Sequence, residues 1–203
     1  MPPKSFLKKP ASLAKGLDRF PRERLHRLSQ LEKWHFWFVG RRAWLDSFLQ
    51  KHFKDKKKRI LDLGCGTGFT LKHLAQMGYR AVGTDFRFEG LHRVRRTATS
   101  PVVQADATRL PFADLSFDLV VALDVLEHVE DHAALAEIKR ILKPQGRLAL
   151  TVPAFRWLWS VRDDEAGHLR RYTRGEMQTL LRSHGFEKIE IHFRNFSFFH
   201  GSS

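Results

Sequence analysis

A single cysteine in 203 residues, Cys65, excludes an internal disulfide. That scarcity fits a reducing compartment. No apolar run approaches the roughly 18 residues that a membrane-spanning helix needs. The N-terminus is basic but lacks an apolar core segment, so no secretory signal is expected. These absences describe a cytoplasmic chain whose contact with a membrane, if any, is peripheral. There is no internal repeat and no low-complexity tract. With 42% hydrophobic and 12% aromatic residues, the chain is neither disordered nor fibrous. Its length suffices for one domain with a true core.

Charge is abundant but uneven. The formal net charge is +14. Residues 1–59 hold 17 Lys+Arg against 5 Asp+Glu, whereas residues 60–203 hold 19 against 17. The basic excess therefore belongs to the N-terminal arm and to the run Lys54, Lys56, Lys57, Lys58 and Arg59. Such an arm suits anionic lipid, nucleic acid or an acidic partner, or serves only to solubilise.

The pattern along the chain predicts three regions. Residues 1–20 carry Pro2, Pro3, Pro10 and Gly16 among lysines and read as a flexible basic leader. Residues 21–58 read as N-terminal helices, with Gly40 separating two of them. Residues 59–203 read as the main domain. There, apolar runs alternate with helical patterns. Strands are expected at Ile60–Leu63, Ala81–Gly83, from Val102-Val103, at Phe117–Leu123, Arg147–Val152 and Lys188–Phe193. Helices are expected at Thr67–Met77, Ala133–Leu142 and Thr173–Ser183, the last with Thr173 as N-cap and Glu176 three residues on. This alternation predicts a Rossmann-like, doubly wound and mostly parallel α/β sheet with helices on both faces.

The strongest local signal is Leu61-Asp62-Leu63-Gly64-Cys65-Gly66-Thr67-Gly68, between a buried strand and a helix. Glycines allow a tight turn and the close approach of a ligand to backbone. Dinucleotide folds carry G-x-G-x-x-G for a pyrophosphate. Here the pattern is G-x-G-x-G, and Asp62 stands in the strand before it. An acidic group there suits a ligand with a cationic end. Asp85, Asp106 and Asp124 close the next three strands. In an open α/β sheet, ligands bind beyond these strand ends, near the point where strand order reverses. Asp85 can accept the hydroxyl hydrogens of a ribose.

On these residues the chain resembles the class I methyltransferases, and within them the type 11 group. The matching stretches are Ile60–Gly68, Val82–Asp85, Ala105–Phe112, Phe117–Val129 and Leu142–Pro153. The resemblance implies S-adenosyl-L-methionine as methyl donor, with S-adenosyl-L-homocysteine as product. It implies donor contacts at Asp62, Gly64, Cys65, Gly66 and Gly68, ribose binding by Asp85, and adenine contacts at Asp106-Ala107, with Leu123 and Asp124 bordering the donor. The segments Trp34–Arg42 and Asp164–Thr173 look like those of one subgroup, which implies that Trp37 and Arg41 cover the donor. The alternative for Trp34, Trp37 and Trp44 is the core face of a helix.

Methyl transfer from a sulfonium is an in-line displacement, in which the protein supplies alignment and electrostatics. His128 is the first candidate to take a proton from the acceptor, and His168 the second; His128 alternatively packs against the cofactor. Asp124, Glu127 and His128 have i, i+3, i+4 spacing and would share one face of a helix. That set is a weak metal fingerprint, so no resident metal is expected. Arg162–Tyr172 reads as an acceptor-binding lid, in which Arg170 and Arg171 clamp an anionic group and Tyr172 lines the site.

The expected activity is methyl transfer to oxygen on a small-molecule or lipid-intermediate acceptor. A nucleic-acid methyltransferase is disfavoured, because the fourth strand ends Leu123-Asp124-Val125-Leu126 without the Asp/Asn-Pro-Pro-aromatic stretch of base amino-methyltransferases. A non-catalytic donor-binding subunit is the other alternative. Only six strands are predicted where this fold usually has seven, and Phe196, Phe198 and Phe199 would then form an exposed contact.

Overall fold

The computed structural model of the chain describes residues 32, 34–87, 91, 94 and 100–193. The leader, most of the first of the two helices expected on either side of Gly40, and Phe196, Phe198 and Phe199 lie outside these residues. The first described helix, α1, runs Phe36–His52. His35 caps it, its Nδ1 accepting the Trp37 amide at 3.3 Å. The break expected at Gly40 does not occur, since α1 passes through it without interruption. A glycine inside a helix costs about 1 kcal/mol relative to alanine, which the docking of Leu45 and Leu49 in the core can offset.

Five parallel strands follow: β1 Arg59–Leu63, β2 Arg80–Asp85, β3 Val102–Gln104, β4 Phe117–Leu123 and β5 Leu142–Thr151. Their spatial order is β3-β2-β1-β4-β5. Strand order therefore reverses between β1 and β4, and this switch point is where a parallel sheet opens a crevice. All seven residues of β4 are buried, as its apolar run requires of a central strand. Alternate side chains go to opposite faces. Leu119, Val121 and Leu123 join α1 residues Leu45 and Leu49 in one core, while Val120 and Ala122 join the other.

Among the described residues four further helices are α2 Phe69–Gln76, α3 Asp131–Ile141, α4 Val161–Ala166 and α5 Arg174–Ser183. The α5 cap forms as its sequence implies. Thr173 Oγ1 accepts the Glu176 amide at 3.3 Å, and Glu176 Oε2 accepts the Thr173 amide at 2.9 Å.

Three expectations need correction. Lys188–Phe193 is not a strand; Ile189 and Ile191 pack on the core, but their backbone pairs with no strand among the described residues. Inward-outward alternation thus reports burial, not a ladder. Strand β5 begins at Leu142 rather than Arg147, taking in Lys143-Pro144-Gln145-Gly146 through a register irregularity opposite Phe117 and Leu119. The segment read as a lid contains a helix, α4, whose capping box is Ser160 with Asp163. Among the described residues no helix is long and apolar enough to cross a membrane.

Candidate active site

The glycine loop leaves β1 at the switch point. Gly64, Gly66 and Gly68 have φ of 73°, 50° and 80°, a region that disfavours side chains. A Cβ on Gly64 would meet Val125 Cγ2 at 2.6 Å, so bulk is excluded there by the β4 side. A Cβ on Gly66 would meet nothing within 4 Å. Gly66 therefore opens onto free space, where a ligand can approach its backbone. Its amide donates to Asp85 Oδ2 at 2.8 Å, and the Arg87 amide donates to Asp85 Oδ1 at 2.8 Å. These bonds tie the loop to the end of β2. Burial raises the Asp85 carboxyl above its ordinary range, and the two amides oppose that shift.

Asp62 lies beneath the loop, only 2% exposed. Its Oδ2 has no hydrogen-bond partner. Burial raises its pKa to about 7, against the nearby positive charge of Arg41. A buried carboxylate oxygen without a partner is costly unless a ligand supplies one. Cys65, beside it, is a buried thiol whose pKa burial pushes up, so it contributes wall rather than nucleophile.

α1 closes the cleft from above. Arg41 Nη1 donates to Asp124 Oδ2 at 2.6 Å, and Trp37 Nε1 reaches the same oxygen at 3.4 Å. Thr151 Oγ1 donates to Asp124 Oδ1 at 2.7 Å. Asp124 has φ of 56°, a strained value for a residue with a side chain. Three elements (α1, β4 and β5) thus converge on one carboxylate.

The expected donor residues Trp37, Arg41, Asp62, Gly64, Cys65, Gly66, Asp85, Asp106, Ala107, Leu123 and Asp124 all line one large cavity, which also runs on to Lys58, Lys139 and Glu190. Gly68 does not; it is the left-handed N-cap of α2, and a Cβ there would meet Val94 at 2.7 Å. Asp106 spends Oδ1 on its own turn, accepting the Thr108 amide at 2.9 Å and hydroxyl at 2.7 Å.

His128 and His168 also line the cleft, with ring centroids 4.8 Å apart. His128 ends a short 3₁₀ turn, Leu126–His128. Desolvation and the neighbouring His168 lower its pKa to about 4, so it is neutral at pH 7. Close to both lies Glu127, fully buried, with neither carboxylate oxygen partnered. Burial and the charge of Asp124 raise its carboxyl well above the ordinary range. Asp124, Glu127 and His128, the weak metal candidate that their spacing offered, do not come together as a set. The turn is not α-helical, Asp124 is turned to Arg41 and Thr151, and His168 takes its place beside Glu127 and His128.

The lid residues also behave differently from expectation. Asp163, 1% exposed, receives Arg171 Nε and Nη2 at 2.8 Å each and faces His168 Nδ1 at 2.8 Å. Asp131 holds Arg170 Nη1 at 2.6 Å and the Tyr172 hydroxyl at 2.9 Å. Arg170, Arg171 and Tyr172 are thereby occupied by internal partners, and Arg170 does not reach the cleft. Arg171 is placed to position His168 through Asp163, whereas Arg170 and Tyr172 are spent on Asp131. The Leu169 amide donates to the Glu127 carbonyl at 2.7 Å, which fastens this segment to the 3₁₀ turn. Sequence reasoning missed Asp163 as the anchor; the spacing of Ser160 and Asp163 ahead of a short helix was the available signal.

A doubly wound parallel sheet with a glycine loop at the switch point and acidic strand ends defines the class I methyltransferase type of fold. Residues 61–150 match the family described as Methyltransferase domain. The chain is 32% identical to Uncharacterized methyltransferase YodH of Bacillus subtilis (strain 168), over 74% of this chain and 69% of that protein. It belongs to this methyltransferase family, in the type 11 group. It is 44% identical over 93 residues to Demethylmenaquinone methyltransferase of Mycobacterium sp. (strain KMS), covering 45% of this chain but only 40% of that relative. Its fold also matches Phospholethanolamine N-methyltransferase 2 of Haemonchus contortus, in complex with phosphomonomethylethanolamine and S-adenosylhomocysteine, with a TM-score of 0.73, 21% identity, and coverage of 89% and 46% of the two chains.

Proposed function

We propose that the chain transfers a methyl group from S-adenosyl-L-methionine to a hydroxyl oxygen on a small-molecule or lipid-intermediate acceptor. The observation that carries the donor half is Asp62. Its buried, unpartnered Oδ2 sits under a loop whose Gly66 opens to free space, an arrangement suited to a cationic nucleoside. Asp85 at the end of β2 suits the ribose, and Trp37 with Arg41 would close α1 over the donor. The Haemonchus fold neighbour was solved with the demethylated product, which agrees with this choice of donor.

For the acceptor, the polar end of the cleft is Glu127, His128 and His168. A hydroxyl placed against this group can be ionised as it attacks, which oxygen transfer requires. Exposed Trp157, Leu158, Val161 and Leu169 lie on the segment beside these residues and favour an apolar or lipid-linked acceptor. That reading extends to peripheral membrane contact, and the mycobacterial relative is named for a demethylmenaquinone acceptor.

Calorimetry with S-adenosyl-L-methionine and S-adenosyl-L-homocysteine, against NAD as control, tests the donor half. Binding of both sulfur nucleosides and silence with NAD is the expected result. Silence with all three would refute the reading. A screen of quinol-like phenols, sugars and polyprenyl-linked alcohols with labelled donor then tests the acceptor half.

A further inference from the structure

We propose that Glu127, His128 and His168 form a three-ligand site for a divalent transition-metal ion of the zinc type. Their ligand atoms all lie within 4.8 Å of one another. Atoms bound to one such ion stand about 3.5 Å apart, given bonds of about 2.0–2.2 Å, so the three need only draw inward by about 1 Å.

Each ligand is prepared in its own way. Glu127 is fully buried with both oxygens unpartnered, an expensive state that a cation would relieve. His168 has Nδ1 engaged by Asp163 at 2.8 Å, which leaves Nε2 free. This carboxylate–histidine pairing fixes the tautomer and ring orientation in metal sites. Asp163 is itself fixed by two bonds from Arg171 and by the Ser160 amide at 2.9 Å. His128 stands against His168, the two ring centroids 4.8 Å apart. The Leu169 amide, bound to the Glu127 carbonyl, locks the two halves of the site together.

Two imidazoles and one carboxylate favour zinc, cobalt or iron over magnesium or calcium, which prefer oxygen ligands. Three protein ligands leave a coordination position open. Because His128 and His168 line the cleft, that position would take the acceptor's hydroxyl oxygen and lower its pKa, the proton leaving to solvent. This last role rests on the methyl-transfer reading above; the metal site does not.

The test is equilibrium dialysis of the full chain against zinc, with affinity measured by a competing chelating dye and by cobalt absorption. One equivalent per chain is expected. Glu127→Gln and His168→Ala should weaken binding on the order of 100-fold, and Asp163→Asn by about 10- to 100-fold. His132→Ala, which removes a histidine whose ring lies 5.1 Å from that of His184 outside the site, should bind as the parent does. Zinc should raise the melting temperature of the parent and not of Glu127→Gln, which also shows whether each variant folds. No retained metal, or unchanged affinity in Glu127→Gln and His168→Ala, overturns the proposal. Donor calorimetry on the same samples separates the two readings. Donor binding without zinc binding removes only the metal; zinc binding without donor binding removes only methyl transfer.

Discussion

Half-buried His168 meets buried Asp163, Nδ1 to Oδ1 at 2.8 Å, and the carboxylate, 1% exposed, is shared with Arg171. The pair converts a surface segment into a fixed wall of the cleft. Arg171 and His168 together hold the Asp163 carboxyl well below the ordinary range, overcoming the upward push of burial. The cost of breaking this arrangement should be large, because a buried charge would lose its counter-charge.

Arg171→Ala is therefore expected to destabilise the fold by about 3 kcal/mol. Arg156→Ala removes an ion pair with Glu176 whose arginine side chain is 72% exposed, and should change stability by less than about 0.5 kcal/mol. Urea unfolding of the two variants checks the contrast. Equal, small effects would show that the Asp163 network is solvent-screened.

Two glycine substitutions should separate fold from ligand. Gly64→Ala adds a methyl group 2.6 Å from Val125 at a positive φ, and should cost roughly 2 kcal/mol or more of stability, part of it recovered in combination with Val125→Ala. Gly66→Ala meets no atom within 4 Å and should cost only the backbone term, about 1–2 kcal/mol. Its donor affinity, however, should fall on the order of 10-fold or more, since the methyl group points into the space a ligand would use. Thermal melts and donor calorimetry measure the two effects independently.

Asp62 sets a pH dependence. Its folded pKa, about 7, is raised above the ordinary carboxyl value of 3.8 by burial. Between those values the folded chain holds a proton that the unfolded chain has lost, so this group's contribution to stability declines as pH rises from about 4 to 7 and is constant above. A cationic donor favours the ionised form, and the donor dissociation constant should therefore fall as pH rises toward 7 and then level. Asp62→Asn should flatten that curve and weaken binding at pH 8. A profile unchanged by the substitution would assign the titration elsewhere.

Arg41→Ala removes the 2.6 Å bond to Asp124 that brings α1 down on the cleft. Donor dissociation should accelerate by about 10-fold, with little change in the association rate, as expected when a contact holds a lid closed. Stopped-flow measurement of donor release decides this. Arg41→Lys, which cannot present the same planar fork, should restore only part of the effect.

Much of the sheet was legible along the chain. The run Phe117–Leu123, six of its seven residues apolar, forms β4 with the boundaries that it implies, and Thr173 with Glu176 caps α5 as expected. Gly64 and Gly66 lie where a strand-to-helix turn must open, and the four strand-end aspartates line one cleft. Expectations failed where a local pattern had a second explanation. Gly40 sits inside a helix because the residues after it dock in the core, and Lys188–Phe193 alternates because it packs on that core without pairing.

Residue order alone determined the alternation of strands and helices, the glycine turn and the acid at each strand end, since periodicity and turn chemistry act within a few residues of one another. Tertiary structure decided that His168 meets His128, that Asp163 takes Arg171, and that Asp124 turns from Glu127 toward Arg41. Those choices join residues as far as 83 positions apart. They depend on the path of the connecting segments and on which buried charges find partners, and neither is encoded in spacing.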